Sequence, residues 1–278
     1  MSAPRIHHLG CGTFCPHGRR VLNGHGGWLE RSSIACHVLL VELADGLALV
    51  DTGLGVADLS TPGVLARGTR ALLQPRVAAS ETAVAQIRAL GSEPSDVRHI
   101  VLTHADFDHA GGLRDFPGAD VHISAAELRA LTDPPRRERP RYQMAAHNWA
   151  HGPRWRTHEP GGDSWFGFES ARVVPGADDE VVMIPLPGHT LGHAGVAVRR
   201  KGGWLLHAGD AFFHHGELLS PPRAPAGAGW YEAFTQADGA KRRANLERLR
   251  ELAAGHSDEV AVICSHDPAQ LEAYASLA

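Results

Sequence analysis

No stretch of this 278-residue sequence approaches the roughly 20 consecutive apolar residues that a membrane-spanning helix needs. Its first ten residues, MSAPRIHHLG, also lack the basic segment and apolar run of an export signal. An excess of one charge sign is missing too: the net charge is −4, so no global basic field draws the chain onto nucleic acid or an anionic membrane. Cysteine is scarce, and Cys11, Cys15, Cys36 and Cys264 form no paired C-x-x-C modules, so neither a disulfide framework nor a structural zinc ribbon is indicated. These absences predict a cytoplasmic protein that acts on a small-molecule substrate, with no nucleic-acid and no membrane partner. They leave the oligomeric state open, a homodimer included.

What the sequence does hold is an ordinary core composition and an unusual supply of histidine, 19 residues in all. Short apolar runs rich in Val, Leu and Ile at 6–13, 35–43 and 47–53 read as neighbouring antiparallel strands, with Asp45-Gly46 as a hairpin turn between the last two. Further strands are predicted at 99–103, 119–124, 171–174, 180–186, 194–200, 204–210 and 259–266. Helices are predicted at 81–90 with Ser80 as N-cap, after a Ser124/Glu127 capping box, at 240–255 with Leu246, Leu249 and Leu252 inward, and at the end of the chain. Runs of strands separated by outer helices suggest two sheets packed face to face, an α/β fold. The chain reads as a single domain, 1–278, in which residues 133–170, broken by prolines and rich in aromatics, form a lid insertion.

Four of the apolar strands end in ligand-type residues. "THADFDHAGG" (103–112) places His104, Asp106, Asp108 and His109 within six positions; "PLPGHTLGH" adds His189 and His193, "LLHAGD" adds His207 and Asp210, and "VICSHD" adds His266 and Asp267. The first motif alone is either a set of metal ligands or a solvated acidic turn. Four such endings on one rim favour a binuclear metal centre, because imidazole and carboxylate suit zinc, iron, manganese and cobalt.

These segments, together with "LVDTG" at 49–53, resemble the metallo-β-lactamase superfamily, in its hydrolase branch near the acyl-homoserine-lactone lactonases. The resemblance implies a four-layer αβ/βα sandwich of two mainly antiparallel sheets. It also implies that His104, Asp106 and His189 hold one metal, that Asp108, His109 and His266 hold the second, and that Asp210 bridges them. Asp51 and His193 would orient these ligands from outside. The expected chemistry is hydrolysis of an ester or lactone by metal-bound hydroxide, with Asp108 orienting the nucleophile or moving its proton. Hydrolysis of a β-lactam or thioester is the near alternative; an iron-dependent oxygenase or oxygen reductase, or a non-enzymatic metal-binding protein, is the distant one.

Two departures from the family pattern carry weight. The usual first motif is H-x-H-x-D-H, and here Asp106 stands at its second histidine. With a bridging hydroxide, that aspartate lowers the formal site charge from +1 to 0 and tilts metal preference from zinc toward manganese or iron. The lactonases also carry a tyrosine three residues after the bridging aspartate, where this chain has Phe213. Phe213, Tyr142, Trp149 and Trp155 are the candidate substrate-pocket residues. Six arginines between 136 and 158 face a single acid, Glu138, and read either as a solvated face or as an anion clamp. His207 reads as a core histidine beneath the site, and the remaining histidines as packing or surface residues.

Overall fold

Side chains alternate between the faces of a strand, and here that alternation separates three apolar layers. The computed structural model describes residues 3–60, 67–162, 164–174 and 180–276. Its first sheet contains β1 (Arg5–Phe14), β2 (Ile34–Leu43), β3 (Gly46–Val50), β4 (Pro75–Arg76), β5 (Val97–Val101), β6 (Asp120–Ser124) and β7 (Arg154–His158), in the spatial order β4-β1-β2-β3-β5-β6-β7. The second contains β8 (Ala171–Arg172), β9 (Val181–Pro185), β10 (Ala194–Arg200), β11 (Gly203–His207) and β12 (Val260–Ile263), in the order β12-β11-β10-β9-β8. Leu39, Val41, Ala48 and Val50 meet Met183, Val196, Val198 and Leu205 between the sheets.

The helices are α1 (Arg19–Leu22), α2 (Val56–Ser60), α3 (Arg67–Leu73), α4 (Ala83–Ala89), α5 (Ala125–Thr132), α6 (Arg139–Ala145), α7 (Ala226–Thr235), α8 (Gly239–Gly255) and α9 (Pro268–Ala275) among the described residues. Ala83 and Ile87 of α4, Ala130 of α5 and Tyr142 of α6 cover Leu40, Leu49 and Ile100 on the outer face of the first sheet. Leu246, Leu249 and Leu252 of α8 cover Leu206 and Val262 on the second, completing the four layers.

The first sheet is mixed rather than mainly antiparallel: β3, β5, β6 and β7 run parallel, since each of these neighbours is joined by a crossover and not by a hairpin. Thr82, not Ser80, caps α4, its hydroxyl accepting the Ala85 N–H, because 79–81 form a separate 3₁₀ turn. The 133–170 segment supplies α6 and the edge strand β7, which pairs with β6 over five residues; residue 163 lies outside the described residues. Helix α7 was not foreseen, since two glycines in its first turn depress its propensity.

Candidate metal centre

The ends of β3, β5, β9, β11 and β12 share one edge, where Ala194 N–H to Thr103 O and His37 N–H to Ser265 O lock the sheets together and Ser265 N–H to Gly209 O extends the β11–β12 pairing. The loops beyond these ends bring all seven predicted ligands together. His104 Nε2 lies 3.4 Å from Asp106 Oδ2 and 3.9 Å from Asp210 Oδ2, and His189 Nε2 lies 3.1 and 3.4 Å from the same two oxygens. On the other side of Asp210, His109 Nε2 is 3.2 Å from its Oδ1 and His266 Nε2 is 3.0 Å from its Oδ2. Asp108 Oδ2 stands 3.8 Å from His109 Nε2 and 3.6 Å from His266 Nε2.

This donor set fits divalent metal ions. Four-coordinate zinc with bonds of about 2.0–2.1 Å places its ligand atoms about 3.3 Å apart, close to the spacings above. The Nε2 atoms of His104 and His109 and the Oδ1 atoms of Asp106 and Asp210 are buried without hydrogen-bond partners among the described residues, a costly arrangement unless something else satisfies them. Burial opposes the charge on Asp210, yet His266, His109 and His189 hold its carboxyl well below the usual range.

The surrounding residues aim the candidate ligands. Asp51, in a left-handed conformation at φ 60°, accepts the Thr103 N–H and hydroxyl and the His109 Nδ1–H, each at 2.8 Å, which turns His109 Nε2 toward Asp210. Ala35 O fixes His266 in the same way at 2.7 Å. His193 donates through Nδ1 to Leu186 O and accepts the Asp210 N–H at Nε2, both at 2.9 Å, and burial followed by its neighbours His104 and His189 keeps it neutral. His207 donates to His37 O and stays out of the ligand cluster.

Sequence reasoning missed Glu127. Ser124 does cap α5, but the Glu127 carboxylate leaves the cap and accepts from Ala105 N–H, Gly192 N–H, the Thr190 hydroxyl and the Tyr142 hydroxyl, tying two ligand loops to one buried acid. Gly192 is required there: a Cβ would stand 2.0 Å from Glu127 N. The only earlier signal was the Ser-x-x-Glu spacing, which points to a cap.

A profile of the Metallo-beta-lactamase superfamily matches residues 34–266. The chain belongs to the metallo-beta-lactamase superfamily. It is 44% identical over 265 residues to a probable metallo-hydrolase of Mycobacterium tuberculosis, covering 95% of this chain and 80% of that protein. It is 26% identical over 198 residues to the N-acyl homoserine lactonase AttM of Azorhizobium caulinodans, covering 71% of each. A B. thuringiensis AiiA variant, solved with N-decanoyl-L-homoserine at its active site, shares the fold with a TM-score of 0.72 at 20% identity, covering 98% of this chain and 97% of that one.

In this member of the superfamily a cavity of about 560 Å³ opens over Asp106, Asp108, His189, Asp210 and His266. Its outer wall is Leu72, Leu73, Met144 and Phe234, with Arg137 and Arg141 at the α6 side. None of the four predicted pocket residues lines it. Tyr142 is buried and bonded to Glu127, and Trp149 and Trp155 pack on the first sheet's outer core, because α6 and β7 dock their aromatic faces there. Phe213 stacks flat on His266 at 4.9 Å and so packs behind a candidate ligand. The residue that does reach the cavity is Tyr231 of α7, edge-on to Phe213 at 5.3 Å. A partly exposed grouping of His214, His215 and Asp267 lies apart; Asp267 there already caps α9 and accepts from His215.

Proposed function

We propose that this metal-dependent hydrolase is binuclear and cleaves an ester or lactone whose acyl portion lies along Leu72, Leu73, Met144 and Phe234. The observation that carries this reading is the position of Asp210 between two buried groups, His104/His189 on one side and Asp108/His109/His266 on the other, with His109 and His266 3.2 and 3.0 Å from its oxygens, at the floor of a cavity with an apolar wall. His104, Asp106, His189 and Asp210 would hold one divalent ion, and Asp108, His109, His266 and Asp210 the other. When bound, the two ions would supply an activated water and a Lewis acid for the carbonyl.

The chain's own residues do the rest. Asp108 presents its carboxylate at the cavity floor, placed to orient the attacking water and to carry its proton to the leaving oxygen. Phe213 cannot donate to the carbonyl, and Tyr231 takes that part from another element. Its hydroxyl makes no hydrogen bond among the described residues, and burial, then the nearby carboxylates Asp108, Asp210 and Asp106, push its phenol above the ordinary range and keep the donor proton in place. The four free cysteines, three of them buried, support a reducing, cytoplasmic setting.

The test is proton release on a panel of lactones, aryl esters, thioesters and β-lactams with zinc-, manganese- or iron-loaded protein. Turnover of lactones or esters with little on β-lactams is expected; turnover on no member with both metals bound would overturn the reading.

A further inference from the structure

The ligand position at which this chain departs from the family pattern, Asp106, is also the one that carries a cation. Arg141 Nη1 lies 2.5 Å from Asp106 Oδ2 and 3.2 Å from His189 Nε2. The other side of the guanidinium is held by the protein: Nε faces Glu138 Oε2 at 3.3 Å, and Nη2 donates to the carbonyl of Thr235 at the end of α7. The Arg141 side chain is only 14% exposed, so this pair is little screened by water.

This geometry removes the anion-clamp reading for Arg141, since each of its nitrogens already faces a protein acceptor. The cluster's arginines on β7 are also engaged, Arg154 and Arg156 both pairing with Asp120. What remains is a charge relationship. A histidine at position 106 would bring the first metal site no charge; an aspartate brings −1, and the guanidinium sets +1 directly against it through Nη1, with Glu138 on its Nε side.

We propose that Arg141 acts through Asp106 and lets an aspartate serve where the family uses a histidine: its guanidinium offsets the charge that Asp106 adds to the first metal site. The site thereby gains an oxygen ligand while keeping the electrophilic character of an imidazole site. This inference rests on the two-metal reading above, but not on the identity of the substrate. Because Arg141 also grips Thr235, the same contact ties α6 and α7, two of the cavity's walls, to the first metal site.

The experiment is an exchange cycle read by metal binding. Metal-free wild type, Asp106→His, Arg141→Met and the double variant are titrated with zinc against a chromophoric chelator, after circular dichroism confirms that each is folded. Asp106→His should weaken the first-site affinity at least tenfold, because the bound ion then faces a guanidinium with no carboxylate between them. Adding Arg141→Met should return it to within about threefold of wild type. A double variant that binds no better than Asp106→His overturns the proposal. Should Asp106→His not fold, Arg141→Met alone decides: a more negative site holds zinc at least as tightly as wild type, and a loss of more than threefold would mean that Arg141 is only a scaffold contact. Failure of every substrate on the hydrolase panel leaves these binding results standing, so the two readings fail separately.

Discussion

His193 holds the backbone of Asp210: its Nε2 accepts the Asp210 N–H at 2.9 Å while its Nδ1 donates to Leu186 O. The carboxylate between the two candidate ligand groups is therefore positioned by a neutral imidazole that stands outside both. His193→Leu removes the acceptor and strands a buried N–H, which costs about 1–3 kcal/mol. It should also lower metal affinity by about 10- to 100-fold, as loss of an outer partner does. Thermal unfolding and chelator competition measure the two effects, and unchanged affinity would show that Asp210 is held by other contacts.

Glu127 joins the loop bearing His104 to the loop bearing His189. Glu127→Ala leaves the N–H groups of Ala105 and Gly192 and the Thr190 hydroxyl without their acceptor. Each stranded buried donor costs about 1–3 kcal/mol, so a destabilisation of several kcal/mol is expected in denaturant unfolding. A loss under about 1 kcal/mol would mean that water replaces the carboxylate.

Tyr231→Phe deletes only the hydroxyl of a residue that lines the cavity. If that hydroxyl polarises the substrate carbonyl, kcat falls by about 100-fold or more with KM and thermal stability little changed. A rise in KM at constant kcat would make Tyr231 a binding wall instead.

Much of this site was legible because chemistry and position coincide: His104, His109, His189, Asp210 and His266 each follow an apolar strand, and a strand end can be read from a short apolar run. The walls were not legible. Tyr231 sits on a helix whose opening glycines mask it, and Trp149 and Trp155 resemble pocket aromatics in composition while packing on a sheet. Nothing local distinguishes Arg141 from its five arginine neighbours, since its partner Asp106 is 35 residues away and met only in three dimensions. The parallel pairing of β3, β5, β6 and β7 escaped for a similar reason, because strand direction is set by crossovers that a run of apolar residues does not encode.

A ladder of imidazoles crosses the first sheet, from His99 Nδ1 to His122 Nε2 at 3.0 Å and from His122 Nδ1 to His158 Nε2 at 2.9 Å. Burial, then His158 and His99, lower the pKa of His122 to about 3, against the opposing pull of Asp120. The unfolded chain binds a proton near pH 6.5 that the folded ladder refuses, so this contribution to stability is present above about pH 6.5 and is lost as pH falls toward 3. His122→Gln should therefore flatten the fall in Tm between pH 7 and pH 4, and a parallel fall in both proteins would remove His122 from the acid response.

The most direct measurement is metal stoichiometry by elemental analysis of wild type and Asp210→Asn, each loaded with excess zinc and desalted. The account predicts two ions per chain in wild type and at most one in the variant, because a single carboxylate serves both ligand groups. One ion per chain in wild type, or two retained in Asp210→Asn, would contradict it.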